Sequence, residues 1–268
     1  RSFREAGFRI WLLTAGLALE REAERVAAHV DQVTISLDGA TPETYAAIRG
    51  VPAFERVLAG ARVMAARGVP TSFRTTVQRG NYRELPALVR LARETGVDQI
   101  SFLAVDVSTH AAFARAEDYS RAMALRNEDL PKLAAVLDRL ERDFAPEFAS
   151  GFIAESPAKL RNLLGYFADL LRTPEISETP EVSTFESPQC NAPRFSAVVG
   201  ADGQLQPCYF IPGQPGQNGA SLRQGLNTPE FIALRRAIRR GERPECAHCV
   251  CAMYKSPREL VAGGLFSR

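Results

Sequence analysis

Cysteine is missing from the first 189 residues of this 268-residue chain, and all five cysteines follow in its last third. A disulfide framework distributes its cysteines through a small secreted domain, so this clustering argues against one. Sparse, grouped cysteines are typical of metal ligation in a reducing compartment. We therefore expect a metal site near the C-terminus and a cytoplasmic protein.

Two further features are lacking, namely an excess of charge and a long apolar run. The formal net charge is only +2 and charges of both signs are mixed along the chain, so a nucleic-acid partner is not expected. No apolar stretch approaches the length needed to cross a bilayer, so no membrane partner is expected. The chain opens on Arg1 and not on methionine, and we expect it to be truncated at its N-terminus.

Four short apolar runs in the first part of the chain predict buried parallel strands, because they are rich in β-branched and aromatic residues. They are Arg9 to Leu13, Gln32 to Leu37, Thr71 to Val77 and Gln99 to Val105. Helical patterns separate them, at Leu17 to Val30, Ala53 to Ala66 and Arg83 to Thr95. This alternation predicts an α/β fold of consecutive strand–helix units with a parallel sheet.

The second half of the chain has a different organisation. Amphipathic helices are predicted at Asn127 to Phe148 and Pro157 to Leu171, followed by a proline-rich linker from Thr173 to Pro188. A hairpin of Phe195 to Val199 and Gln204 to Tyr209, and a helix from Pro229 to Arg240, form a final small module. We expect three domains: 1–125, a helical connector with linker at 126–186, and 187–268.

The cysteines lie in that module, at Cys190, Cys208, Cys246, Cys249 and Cys251. Thiolates from a hairpin and from a C-x-x-C loop make a four-sulfur site that suits either an iron–sulfur cluster or zinc. The spacing alone does not choose between the two metals. Small buried hydrophobic residues are the alternative explanation for these cysteines, and Cys251 is a fifth thiol that could replace Cys249 as a ligand.

Polar residues stand where the predicted strands end, which is where ligands bind in parallel α/β folds. Ser36 and Asp38 alternate onto one face at the end of the second strand, where they could contact ribose hydroxyls or an ammonium group, or simply cap a helix and form a turn. Arg74 lies within the third strand, where a charge is costly unless it is paired, faces a ligand or reaches the rim.

These features together resemble the radical S-adenosylmethionine (SAM) enzymes that carry a C-terminal SPASM or Twitch extension. The segments that carry the resemblance are Leu13 to Gly16, Ile35 to Tyr45, Ile48 to Gly50 and Phe54 to Val57. The cysteine module strengthens it, because Cys190 is followed by twelve residues, Gly203, four residues and Cys208.

The resemblance implies a partial (β/α)6 TIM-like barrel, of which the last four strand–helix units are present, followed by a small α+β iron–sulfur module. In the family, SAM is cleaved to a 5′-deoxyadenosyl radical that abstracts a hydrogen from the substrate. The implied cofactors are SAM, one auxiliary [4Fe–4S] cluster and a second [4Fe–4S] cluster bound by a segment before Arg1. The implied function is an oxidoreductase or maturase, and the chain alone is expected to be inactive.

The resemblance also implies roles for individual residues. Ser36 and Asp38 would contact the ribose or methionine part of SAM, Arg74 would approach its carboxylate, and Thr14 and Gly16 would line the site. The auxiliary cluster would be bound by Cys190, Cys208, Cys246 and Cys249 and would accept an electron. The resemblance identifies no catalytic acid or base.

The sequence departs from the family in three places. The C-x-x-x-C-x-x-C loop that holds the first cluster is absent, the family's strand-end Thr-Asn-Gly is here Thr14-Ala15-Gly16, and Lys255 stands where a further cysteine is expected. The last departure indicates a Twitch module with one cluster. Expected partners are a peptide or small-molecule substrate and an electron donor such as a flavodoxin or ferredoxin. The competing hypotheses are a non-catalytic fragment with a zinc ribbon that binds a protein, and a TIM-barrel-like enzyme of unrelated chemistry.

Overall fold

The computed structural model describes residues 2–107, 121–172, 190–211, 222–246 and 249–259. The chain divides into two compact units, 1–105 with 123–182 and 106–122 with 183–268. The helical segment that follows the strands belongs to the first unit, together with the sheet. The linker predicted at Thr173 to Pro188 lies outside the described residues.

The first unit is built on a four-stranded parallel sheet in chain order, β1-β2-β3-β4. Its strands are Trp11–Thr14 (β1), Gln32–Ser36 (β2), Thr71–Val77 (β3) and Gln99–Ala104 (β4). The prediction of an α/β fold with parallel neighbouring strands is confirmed, and the ends differ from the predicted ones by up to two residues. The partial (β/α)6 TIM-like barrel stays a prediction.

Eight helices of the first unit are described: Ser2–Glu5 (α1), Leu19–Ala27 (α2), Pro42–Arg49 (α3), Phe54–Ala66 (α4), Leu85–Thr95 (α5), Leu130–Asp143 (α6), Ala145–Ala149 (α7) and Pro157–Leu170 (α8). The single helix predicted at Asn127 to Phe148 is instead a 3-10 turn at Asn127–Asp129 followed by α6 and α7. Phe144 separates the two helices because Pro146 has no N–H to continue α6.

Helix α3 was not predicted, although its start has a clear local cause. The hydroxyl of Thr41 accepts the N–H of Thr44 at 3.2 Å, and Pro42 occupies the first turn, where a missing N–H costs nothing. Gly50 ends the helix in the left-handed conformation. The same combination of a capping hydroxyl and a following proline begins α8, at Ser156.

The two faces of the sheet differ in character. One face carries Val33, Ile35, Phe73 and Ile100, all fully buried, and packs against α4 and α5. The strand register places the alternate residues on the other face, in a row that runs from Ser36 through Arg74 to Ser101. An apolar, helix-covered face therefore supports a polar face.

The edge of β4 is extended by a short segment that the sequence did not predict. Ile100 donates its N–H to Phe152 O at 2.8 Å and accepts from Ala154 N at 2.9 Å, and Ile153 forms a parallel bridge with Ile100. The Glu155 carboxylate then accepts the N–H of Phe102 at 2.9 Å. The 152–155 segment thus takes the position of a further parallel strand beside β4.

The second unit contains a two-stranded antiparallel sheet, Val198–Val199 (β5) with Leu205–Gln206 (β6), and the helices Leu222–Gly225 (α9) and Pro229–Arg239 (α10). The predicted hairpin is confirmed, with shorter strands. Its turn closes through Gly200 N to Gln204 O at 2.8 Å, and Gly203 takes the positive φ of 79° that favours glycine.

No helix in the described part of the chain is long and apolar enough to cross a membrane.

Gly16 follows β1 with a φ of +81°, and a Cβ built on it would lie 2.9 Å from Ile35 Cγ2. Gly68 shares the positive φ, but a Cβ there meets nothing within 4 Å. We expect Gly68→Ala to lower the free energy of unfolding by about 1 kcal/mol, and Gly16→Ala by roughly 1–3 kcal/mol more because of crowding. Urea unfolding measures both, and equal losses would contradict the close packing at Gly16.

Candidate functional sites

The first candidate site lies at the carboxyl end of the parallel sheet. Ser36 and Arg74 are register partners on β2 and β3, and Arg74 is in turn the partner of Ser101 on β4. The guanidinium therefore stands on the polar face between two serine positions. Its Nε is buried and has no hydrogen-bond partner among the described residues. A buried, unpaired donor of this kind is costly, which favours a ligand or solvent molecule as its partner.

Asp38 occupies the same end of the sheet but is almost fully buried, with 4% of its surface exposed. Its Oδ1 accepts the N–H of Thr76 at 2.7 Å, and its Oδ2 forms an ion pair with Arg49 at 2.8 Å. Both carboxylate oxygens are thus engaged by the protein. Asp38 thereby connects β2 to β3 and to α3, and the direct ligand contact that the sequence suggested stays a prediction.

Arg49 is a further member of this site that was not predicted from the sequence. It lies at the last position of α3, where Asp38 holds one of its terminal nitrogens, and its Nε is buried without a hydrogen-bond partner in the described part of the chain. The segment Ile48 to Gly50 carried the resemblance, but nothing in its sequence indicated a pairing with Asp38. Two guanidinium groups, from Arg49 and Arg74, therefore belong to the residues at this end of the sheet.

Asn81 lies at the end of the Thr75 to Asn81 segment, which the sequence marked as a strand-end position, whereas Glu84 was not predicted, and both hold the loop that follows β2. Asn81 Nδ2 donates to the carbonyl oxygens of Asp38 and Thr76, at 2.9 and 3.0 Å. Glu84 accepts the N–H of Ala40 at 2.7 Å through Oε2 and the hydroxyl of Thr44 at 2.5 Å through Oε1. The position of Glu84 after β3, at the same edge of the sheet, was the signal that could have identified it as well.

Thr14 and Gly16 lie at the end of β1 and are joined by a local hydrogen bond. The Thr14 hydroxyl accepts the N–H of Gly16 at 3.1 Å. The register pairs Thr14 with Ile35, which places it on the apolar, helix-covered face and not on the face of Ser36. These two residues shape the turn after β1.

The second candidate site lies within the second unit, where five cysteines line one cavity of about 220 Å³. The predicted ligands Cys190, Cys208, Cys246 and Cys249 are brought together there, and Cys251 joins them. All five are free thiols. Among the described residues, no three His, Cys, Asp or Glu side chains form a group that could hold a single metal ion. The sulfurs thus line a shared cavity and do not converge on one point.

Local backbone structure brings the cysteine segments together. Asn191 binds the segment after Cys251 through three hydrogen bonds, one to Met253 O and two to the backbone of Lys255. Cys208 begins a turn in which it bridges to Ile211, and the N–H groups of Phe210 and Ile211 are directed at its sulfur. Amides directed at a sulfur stabilise its thiolate form, which is the form that binds metal.

Burial dominates the electrostatics of three of these thiols. It raises the pKa of Cys246 to about 11 and that of Cys249 to about 12, and neighbouring sulfurs contribute further. The pKa of Cys208 is also raised by burial, against the opposing effect of the two N–H groups. These three thiols are therefore protonated at neutral pH, and metal binding has to release their protons. The donor set, the cavity and the directed amides suit a thiolate-ligated metal centre.

Comparison with known proteins identifies the first part of the chain. Residues 1–92 match the model of the Radical SAM superfamily. The resemblance of these residues to radical SAM enzymes is thereby confirmed, whereas the SPASM or Twitch extension stays a prediction.

Curated relatives act on different molecules. The chain is 41% identical over 95 residues to the AdoMet-dependent heme synthase of Methanosarcina barkeri. This alignment covers 34% of this chain and 27% of that protein. It is 30% identical over 169 residues to the PqqA peptide cyclase of Ruegeria pomeroyi, and this alignment covers 62% of this chain and 40% of that protein. The chain thus spans well under half the length of these relatives.

Solved structures agree on the fold. Native anSMEcpe with bound AdoMet and Cp18Cys peptide matches with a TM-score of 0.54 at 17% identity, covering 86% of this chain and 61% of that one. A histidine-tagged form of anSMEcpe with bound AdoMet matches with a TM-score of 0.55 at 17% identity, and the match covers 91% of this chain and 65% of that one. At this identity the similarity establishes the fold alone.

Burial raises the pKa of Asp38 above its ordinary value of 3.8, although Arg49 and the Thr76 N–H oppose the increase. The folded state therefore binds the Asp38 proton more tightly than the unfolded chain does. The stability that the folded state gains from binding this proton more tightly is complete below pH 3.8, and it is lost as the pH rises through the raised pKa of Asp38. We expect the free energy of unfolding of the wild type, relative to Asp38→Asn, to fall as the pH rises from below 3.8 through the raised pKa of Asp38.

Urea unfolding followed by circular dichroism measures this difference. Glu24→Gln, an exposed change on α2, is the matched control that should show no such trend. A wild type that gains stability over Asp38→Asn as the pH rises would mean that the ion pair with Arg49 dominates over burial.

Proposed function

We propose that this chain is part of a radical SAM oxidoreductase or maturase. The enzyme would produce a 5′-deoxyadenosyl radical to oxidise or modify a peptide or small molecule, and one auxiliary [4Fe–4S] cluster would accept an electron. The observation that carries the proposal is the convergence of five thiols on one cavity, in a chain whose first 92 residues match the superfamily.

On the SAM side, Arg74 and Ser36 are the proposed ligand-facing residues. SAM carries a carboxylate, and a guanidinium with an unpaired buried nitrogen is a fitting partner for it. The hydroxyl of Ser36 stands beside Arg74 in the register and would donate to the same ligand. Asp38 would act indirectly by holding Arg49 and the end of β3, while Thr14 and Gly16 would give the β1 turn its shape.

On the cluster side, Cys190, Cys208, Cys246 and Cys249 are the proposed ligands. When bound, the cluster would supply one-electron transfer, and four thiolates would leave none of its irons open to substrate. The chain contributes the donors, the amides directed at Cys208 and Cys249, and an apolar wall that includes Ile211 and Ile238. Such a wall excludes water and so tunes the reduction potential.

The remaining components follow from the same proposal. The relative that aligns over 169 residues is a peptide cyclase, which favours a peptide as substrate. Residues 1–189 contain no cysteine, so the cluster that cleaves SAM would take its cysteines from sequence outside this chain. A flavodoxin or ferredoxin would be the electron donor, and the thiol chemistry suits the cytoplasm.

Substitutions at the two sites are expected to affect different steps of catalysis. In the full-length protein that contains this chain, Cys208→Ala should reduce substrate oxidation more than the release of 5′-deoxyadenosine, because the auxiliary site would act after hydrogen abstraction. Arg74→Ala should instead slow both steps and weaken SAM binding by roughly tenfold or more, since a charged hydrogen bond contributes about 1.5–3 kcal/mol.

Both products are measured anaerobically by chromatography, and SAM affinity by titration calorimetry. Arg67→Lys is the control for Arg74, because this exposed arginine follows α4, at the opposite end of β3. Equal loss of both products in a folded Cys208→Ala protein would rule out the electron-accepting role. Unchanged SAM affinity in Arg74→Ala would rule out the carboxylate contact.

A further inference from the structure

Cys251 is the one cysteine that the proposed cluster leaves unused, although it lines the same cavity as the four proposed ligands. Three of those ligands, Cys190, Cys208 and Cys246, come from three separate backbone segments, each of which brings a single thiol. The turn at 249–251 differs from them because it brings two thiols to the cavity.

The two thiols of this turn are closely connected. The N–H of Cys251 is directed at the sulfur of Cys249, so the backbone between them is folded tightly. Cys251 is also near enough to Cys208 for charge on one sulfur to act on the other. Its thiol therefore faces the cavity among the proposed ligands and does not point away from them.

The backbone on either side of the turn limits how far it can shift. Cys249 N donates to Cys246 O at 3.3 Å, and Asn191 holds Met253 and Lys255 beside the Cys190 segment. Both ends of the 249–251 segment are thus fixed to other cysteine-bearing segments. Replacing one sulfur by the other would need only a local adjustment within the turn.

We infer that Cys249 and Cys251 are alternative fourth ligands of the auxiliary centre, whereas Cys190, Cys208 and Cys246 have no substitute. This inference rests on the proposed function, because it presupposes a thiolate-bound centre in the cavity. The exchange is redox-neutral: the Cys251 thiol gives its proton to solvent and bonds to iron, while the Cys249 sulfur leaves the iron and takes up a proton.

The test compares metal uptake by the 268-residue chain and its variants. Wild type, Cys249→Ala, Cys251→Ala, the double variant and Cys190→Ala are reconstituted anaerobically with iron and sulfide and, separately, with zinc. We expect wild type and both single variants to retain about four irons per chain. The double variant should fall to the lower level of Cys190→Ala.

Alkylation of the iron-loaded wild type provides a second readout that does not depend on any substitution. One of the five thiols should react with iodoacetamide under native conditions, and mass spectrometry should find the label distributed between Cys249 and Cys251. Label on Cys251 alone would indicate a fixed ligand set and would overturn the inference.

The outcomes distinguish this inference from the proposed function. A wild type that binds zinc but takes up no iron–sulfur cluster overturns the proposed function. A Cys249→Ala variant that binds either metal no better than Cys190→Ala overturns the alternative-ligand inference while leaving the cluster proposal intact.

Discussion

The buried carboxylate of Asp38 connects three elements at the carboxyl end of the sheet. It accepts the Thr76 N–H from β3 and pairs with Arg49 from α3, while its own backbone carbonyl accepts from Asn81. A carboxylate removed from water is tolerated only when it is paired and hydrogen-bonded, so these partners are interdependent. The loop after β2 and the end of β3, which carry the polar face around Arg74, are held in place by this arrangement.

The second unit has a different organising constraint, namely half-buried thiols that line one cavity. Burial makes Cys246 and Cys249 weak acids, yet backbone amides are directed at the sulfurs of Cys249 and Cys208. The surroundings therefore oppose free thiolates but favour thiolates whose charge is neutralised by a bound metal centre. The backbone and side-chain hydrogen bonds of Asn191 and the turn at Cys208 bring the sulfurs to the cavity, which is the form of a preorganised ligand set.

Much of the fold could be predicted from local sequence patterns. Runs of β-branched residues mark strands and glycines mark helix ends, and neither signal depends on contacts with distant parts of the chain. Thr71–Val77 was predicted to the residue, and the Asp202-Gly203 turn formed as expected. Long-range pairing could not be predicted: the partnership of Asp38 with Arg49 and the 152–155 segment beside β4 depend on residues brought together by folding. The sequence neighbours of Asp38 do not show that Thr76 and Arg49 engage both of its carboxylate oxygens.

The central claim is that the five-thiol cavity holds an iron–sulfur cluster. Native mass spectrometry of the 268-residue chain, reconstituted anaerobically with iron, sulfide and zinc together, tests it most directly because it weighs the bound centre. The account predicts one added mass equal to a [4Fe–4S] cluster, lost in Cys190→Ala and Cys208→Ala. A mass increase of one zinc ion in the wild type, or a cluster that persists in those two variants, would contradict it.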